Sequence, residues 1–315
     1  MSKSVEEGPE RLQITIGGIG IELTWEGRRL RDEPALKFYQ GFLSNGSHRD
    51  PDVRLHLHWR ELPRLKPEAM IFDAVQNHWR LLQANGRYIF EVFDTKRPHP
   101  LVQLAFMAQD FSRGECCILP QKAAPRRSWS LIKLMRPFGE LLMVNLLCQD
   151  RGVLIHGLGV EDQGEGLLFI GRSGAGKSTL AKLDKEAPPG ATILGDERVV
   201  VTKAGGQFWL SGTPWPGEAF TVSPIRVPLR RIFFLEHGTR NEFISDRVIN
   251  LYGLFLQQIF LPFWNGKALA HALAFGEALL KTVPTSRLAF VNDARVIEFL
   301  RGQGVYGAPT KDTGN

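Results

Sequence analysis

Cysteine is scarce in this chain. There are three in 315 residues, Cys116, Cys117 and Cys148. None has C-x-x-C spacing, which argues against a zinc knuckle, and an odd count suits a reducing compartment. Long apolar runs are missing as well. The longest, such as residues 141–148, fall far short of the roughly 20 residues that cross a bilayer. Residues 1–13 are polar and carry acids, unlike a secretory or transit leader. No internal repeat is visible. A cytoplasmic protein with no membrane association is expected.

What is present suits a folded protein. Hydrophobic residues make up 43% and charged residues 23%, enough for two domains or one large one. The net charge of +6 is small for this length, and no nucleic-acid partner is expected. The densest basic stretch holds Lys122, Arg126, Arg127, Lys133 and Arg136, with no acid between its ends. It reads as a solvated linker over 121–136, or as a docking surface for an acidic partner.

Hydropathy patterning divides the chain further. Residues 1–10 read as disordered and 11–120 as a β-rich region. Residues 12–16 and 53–60 alternate apolar and polar, the signature of half-buried strands. Residues 78–83 and 87–93 flank Ala84-Asn85-Gly86, a hairpin signal, so this region is expected to be mostly antiparallel. His56 and His58 share the polar face of one strand, where solvated histidines are the simpler reading because no third metal ligand is apparent. A helical stretch is expected around 100–109. Another over 137–148 has Pro137 in its first turn. Residues 137–307 form the second domain, and 308–315 read as frayed. Within it, strands are expected at 153–156, 166–170, 191–194, 199–202, 207–210, 231–235 and 288–291. Helices are expected at 178–185, 247–261, 267–283 and 293–301.

The strand at 166–170 runs into Gly171-Arg172-Ser173-Gly174-Ala175-Gly176-Lys177-Ser178-Thr179, and a helix follows. This is G-x-x-x-x-G-K-[ST] in its required strand–loop–helix setting. The glycines let successive N–H groups point at phosphate oxygens, and the helix adds its positive end. Lys177 reaches the β- and γ-phosphates, and the Ser178 hydroxyl ligates Mg²⁺. By average residue usage the pattern arises by chance in roughly one chain in a hundred of this length. A bound nucleoside triphosphate with Mg²⁺ is therefore expected.

Phosphoryl transfer also needs an acid for the metal and one for the acceptor. Asp196-Glu197 ends a downstream strand, the position at which α/β sheets bind ligands. The alternative is a turn pair salt-bridged to Arg198. His156 ends the strand before the loop strand and, taken alone, reads as a core histidine. Gly212-Thr213-Pro214-Trp215-Pro216-Gly217-Glu218 is stiffened by two prolines. It either sets Glu218 against Mg²⁺ or the acceptor, or is an ordinary loop.

These residues together resemble HPr kinase/phosphorylase and its related proteins. The resemblance rests on His156-Gly157, on residues 168–178 and on Leu194-Gly195-Asp196-Glu197-Arg198-Val199. Residues 212–218 and 228–235 look like those of the related proteins. Clear motif coverage is about residues 150–240. The resemblance implies an α/β fold with a P-loop in a mixed sheet of the HPr kinase/phosphoenolpyruvate carboxykinase type, preceded by the β-rich region. It implies that Lys177 binds phosphates, Ser178 the metal, that His156 lines the active site and that the catalytic acid lies in Asp196-Glu197. The family has two aspartates where this chain has Asp196-Glu197, and a glutamate after the loop serine where it has Thr179. The family's glycine signature is replaced by the segment around Trp215, and no match to its C-terminal catalytic arginine is evident. A reverse, phosphate-removing reaction and the family's phosphocarrier substrate are therefore not expected.

The expected function is an ATP-dependent kinase acting on a hydroxyl, with a serine or threonine of a peptide or small protein first in order. Lys177, His156 and Asp196 or Glu197 would be catalytic, and Ser178, Asp196 and Glu218 would hold the metal. Two readings stand beside it: a kinase of free serine or a sugar, and a non-catalytic nucleotide-binding scaffold. A motor ATPase is disfavoured, since no apolar run ending in Asp supplies a second Walker element. A homo-oligomer is expected.

Overall fold

The computed structural model describes residues 10–44, 50–74, 76, 78–96, 98–120, 128–186 and 191–306. The chain forms two compact units, residues 1–146 and 147–315. Part of the basic stretch, with Lys122, Arg126 and Arg127, and the two ends read as disordered or frayed lie largely outside the described residues.

The first unit holds β1 (Glu10–Ile16), β2 (Ile19–Trp25), β3 (Arg29–Leu30), β4 (Leu43–Ser44), β5 (Val53–Trp59), β6 (Ala69–Ala74), β7 (Trp79–Ala84), β8 (Arg87–Phe93), β9 (Leu101–Met107), β10 (Arg113–Ile118) and β11 (Ser128–Trp129). Its helices are α1 (Lys37–Gln40), α2 (Leu131–Met135) and α3 (Phe138–Leu147). One sheet runs β4-β1-β2-β5-β10-β9-β8-β7-β6, and β3 pairs with β11. The alternation in β5 does what its pattern dictates. Val53, Leu55 and Leu57 are buried, while Arg54, His56 and His58 are not. Asn85 and Gly86 form the β7–β8 turn with φ of 50° and 67°, as a two-residue hairpin of matching twist requires.

The sheet is mostly antiparallel, as expected, with a parallel exception at β5, and one expected helix is a strand. β5 is parallel to both its neighbours, β2 and β10, so the large sheet is mixed, although its other pairings are antiparallel. Residues 101–107 are a strand and not a helix. Leu104, Ala105 and Met107 are buried between β8 and β10, and pairing on both edges outweighs local helix propensity. Residues 128–136 are also regular structure. They contain β11 and α2, whose Ser130 hydroxyl caps the helix by accepting the Lys133 amide at 3.2 Å.

The second unit holds β12 (Gly152–His156), β13 (Leu158–Asp162), β14 (Glu165–Ile170), β15 (Thr192–Gly195), β16 (Arg198–Ala204), β17 (Gln207–Gly212), β18 (Arg226–His237), β19 (Glu242–Ile244) and β20 (Thr285–Phe290). Its helices are α4 (Lys177–Glu186), α5 (Val248–Leu256), α6 (Gly266–Thr282) and α7 (Arg295–Gly302). The sheet runs β12-β16-β17-β18-β14-β13-β15, with β20 on β18 and β19 on β20. β14 lies between parallel β18 and antiparallel β13, and β18 is parallel to β20. The class is α/β with mixed sheets. Among the described residues no helix is long and apolar enough to cross a membrane.

The helix expected at 247–261 stops at Leu256. Residue 261 precedes Pro262, which disfavours helical backbone there, and Gln258 to Phe260 instead lie along β12. The His156 amide donates to the Gln258 carbonyl at 2.7 Å and the Phe260 amide to that of Leu154 at 3.0 Å. The core against which α4 and α7 pack is centred on Phe169 of β14 and Phe233 of β18, whose rings stack at 5.1 Å. Phe233 also stacks on Phe243 at 5.5 Å. Truncating this fully buried ring leaves a cavity in the core beneath β14 and β18. Phe233→Ala is expected to cost about 3–5 kcal/mol, read as a lowered urea midpoint at unchanged slope.

Candidate functional site at the glycine loop

β14 is buried from Gly166 to Ile170 and delivers the chain to the loop at its C-terminal end. The loop then enters α4 at Lys177. Gly174 and Gly176 have φ of 81° and 95°, backbone that an L side chain rarely adopts. At Gly176 a side chain is also excluded by space, since a Cβ would lie 2.5 Å from the Phe290 ring. The Ala175 amide donates to the Arg172 carbonyl at 3.0 Å and closes the turn. Arg172, Ser173 and Gly174 are exposed, and Ser178 and Thr179 are half-buried on the first turn of α4.

Lys177 is only 7% exposed. Its ammonium donates to the carbonyls of Gly171 at 2.6 Å and Arg172 at 3.3 Å, within the loop that it serves. Burial lowers its pKa from the ordinary lysine value, and the negative charge of Glu197 acts in the opposite direction. Lysine and glutamate are therefore close enough to sense one another, although 20 residues separate them in sequence.

The two acids have different surroundings. Asp196 is 2% exposed, and each of its oxygens is held by a main-chain amide. Oδ1 accepts from Gly217 at 2.9 Å and Oδ2 from Ala219 at 2.6 Å. A Cβ on Gly217 would lie 2.8 Å from Asp196 Oδ2, so this approach needs glycine. Asp196 thus pins the segment between β17 and β18 to the end of β15. Glu197 is half-buried and paired with cationic or polar groups. Its Oε1 meets the Arg198 guanidinium and lies 3.4 Å from His156 Nδ1. That nitrogen is also 3.1 Å from the Glu197 carbonyl. The hydrogen bond from His156 is the largest cause that lowers the Glu197 pKa. Arg198 adds to it and burial opposes it, and the result is about 2. Arg198 in turn lies over the Phe260 ring at 4.6 Å. The ion pair with Arg198 expected of a turn pair is present, on the same carboxylate whose charge acts on Lys177.

The structure thus brings Lys177, Glu197 and His156 together and gives Asp196 a different task. Glu218 is exposed, between the two residues whose amides grip Asp196. Trp215 is fully buried, so it is a core residue. Among the described residues no group of three or more His, Cys, Asp or Glu side chains could hold a metal ion. A Mg²⁺ ion held through phosphates needs only one or two protein ligands, and the Ser178 hydroxyl on the first turn of α4 suits that role.

Comparisons with known proteins add little. No protein-family model matches the chain, and no curated protein matches it. Among solved structures it is similar to the HPr(Ser) kinase/phosphatase from Coxiella burnetii, at 10% identity. The match covers 49% of this chain and 99% of that one, with a TM-score of 0.22.

Two residues beside the loop escaped sequence reasoning. His237, the last residue of β18, donates through Nε2 to the Gly174 carbonyl at 2.7 Å. Asn292, just beyond β20, lies with Nδ2 3.4 Å from His237 Nδ1. Nε2 acts as a donor to the carbonyl, and Nδ1 faces the Asn292 carboxamide. Both residues stand at the carboxyl ends of strands parallel in series with β14, and that position is the signal that would have found them.

Two outcomes follow. Asp196→Asn replaces an acceptor oxygen with an NH₂ that faces an amide donor. It is expected to cost about 1.5–3 kcal/mol, read from the urea midpoint. Glu197 has a depressed folded-state pKa, so its stabilising contribution is complete above about pH 4.5 and fades as pH falls toward about 2. Glu197→Gln is expected to flatten stability against pH in that window, measured by urea midpoints, and an unchanged acid limb would refute the assignment.

Proposed function

We propose that this chain is an ATP-dependent phosphotransferase that moves the γ-phosphoryl group to a hydroxyl, with a serine or threonine of a peptide or small protein as acceptor. One observation carries the reading. A buried lysine closes a strand–loop–helix glycine loop, with its ammonium held by two loop carbonyls and the charge of Glu197 within reach. Phosphate oxygens would be cradled by amides of residues 171–178 and met by Lys177, which would exchange its loop carbonyls for them. Ser178 would hold Mg²⁺, which supplies charge neutralisation between the β- and γ-phosphates. Asp196 contributes by fixing the loop that faces Glu197.

Glu197 is the better candidate for the acceptor side, because both oxygens of Asp196 already serve amides. Its low pKa makes it a weak base. That suits a loose, metaphosphate-like transfer, in which orienting the hydroxyl matters more than early proton removal. His156 and Arg198 hold the carboxylate in place. A macromolecular acceptor is favoured over a small one by Phe220. This aromatic ring is 69% exposed, one residue beyond the amide that grips Asp196. The resemblance of residues 150–240 to HPr-kinase-related proteins points the same way.

The test is single-turnover incubation of the full chain with γ-labelled ATP, Mg²⁺ and a library of serine- and threonine-containing peptides. Label is expected on a hydroxyl, and Lys177→Met is expected to lower the rate by about 10²–10³. Nucleotide binding without transfer to any acceptor would favour the scaffold reading, and transfer by Lys177→Met at the wild-type rate would sink the mechanism.

A further inference from the structure

The first unit contains a cavity of about 970 Å³, at the upper end of what small-molecule sites enclose. Its walls combine three features. The first is aromatic: Trp59 and Trp129 line it with their ring centroids 5.7 Å apart. The second is charge. Arg28, Arg31, Lys96, Lys133 and Arg136 line it against two acids, Asp94 and Glu140. Both acids are engaged locally. Asp94 accepts the Lys96 amide at 2.9 Å, and Glu140 pairs with Arg136 at 3.4 Å. The third is unmet hydrogen bonding. Arg31 Nε, His78 Nδ1, Gln103 Nε2 and Trp129 Nε1 are buried without a partner, and all four belong to residues of this one wall. Gln103 and Trp129 are each 3% exposed.

An unpartnered buried donor is costly, on the order of 1–3 kcal/mol each. Several around one apolar cavity call for a ligand that brings acceptors. Three of the four are N–H donors whatever the tautomer of His78: a guanidinium, a carboxamide and an indole. Only the guanidinium among them is charged, and it presents the planar fork that matches a carboxylate. Lys96, Lys133 and Arg136 are exposed and lend long-range attraction at the rim.

We infer that this cavity is a binding site for a small organic carboxylate with an apolar body. The carboxylate is received by Arg31 and Gln103, and the body lies against Trp59 and Trp129. The site lies in the unit without the phosphate loop, so it stands or falls independently of the kinase reading.

The experiment is calorimetric titration of the full chain with decanoate, decylammonium and decanol, with tryptophan fluorescence as a second readout. Decanoate is expected to bind saturably, one per chain, at least tenfold tighter than either comparison compound, with a shift in tryptophan emission. Arg31→Met and Gln103→Leu are each expected to weaken decanoate at least fivefold while keeping the wild-type circular dichroism spectrum. Gln103→Leu removes an unpartnered amide, so it tests the site even if the arginine variant fails to fold. Absence of saturable decanoate binding, equal binding of all three compounds, or wild-type affinity in the folded variants would overturn the assignment.

Discussion

A buried carboxylate that takes two main-chain amides organises the second unit. Without partners, a carboxylate as enclosed as that of Asp196 would be prohibitively costly to bury. With the amides of Gly217 and Ala219 it becomes a clamp. It fastens the end of β15 to the segment between β17 and β18, across more than 20 residues of chain. Glu197 follows immediately, so the clamp also sets where the second acid stands. The glycine at 217 exists for that approach.

The strand, glycine loop and helix of residues 166–186 were legible in the sequence, because their signals are local. Glycines at fixed offsets, a strand before and a helix after are all encoded within 20 residues. The strand expected at 191–194 and the pair at 199–202 and 207–210 were legible for the same reason, with turn residues between them. The two roles of Asp196-Glu197 were not. Both are acids at a strand end, and only the distant amides of residues 217 and 219 distinguish them. His237 and Asn292 were illegible because neither has a local signature, and their place depends on which strands run parallel beside β14. Residues 101–107 misled because Leu101-Val102-Gln103-Leu104-Ala105-Phe106-Met107 suits either state alone, and partners on both edges decide it. The cavity in the first unit draws its walls from residues 28 to 140, so no window of sequence contains it.

Around Glu197, charge and aromatic surface form a chain of supports. His156 comes from β12 and Arg198 from β16, neighbours in the sheet whose residues 156 and 198 are paired. Arg198 rests on Phe260, and residues 258–260 are bonded to β12. The carboxylate is therefore braced from three stretches of chain. These contacts fix the position of the Glu197 carboxylate whose charge acts on Lys177.

The resting posture of Lys177 sets the terms of ligand entry. Its ammonium is already satisfied by two carbonyls of its own loop, so an incoming anion must displace them. Affinity then reflects an exchange of one set of oxygens for another, and it grows only with the charge that the newcomer carries beyond what neutral carbonyls supply. In the proposed role, such a latch would give a polyanionic tail the advantage over an uncharged or singly charged molecule of similar size.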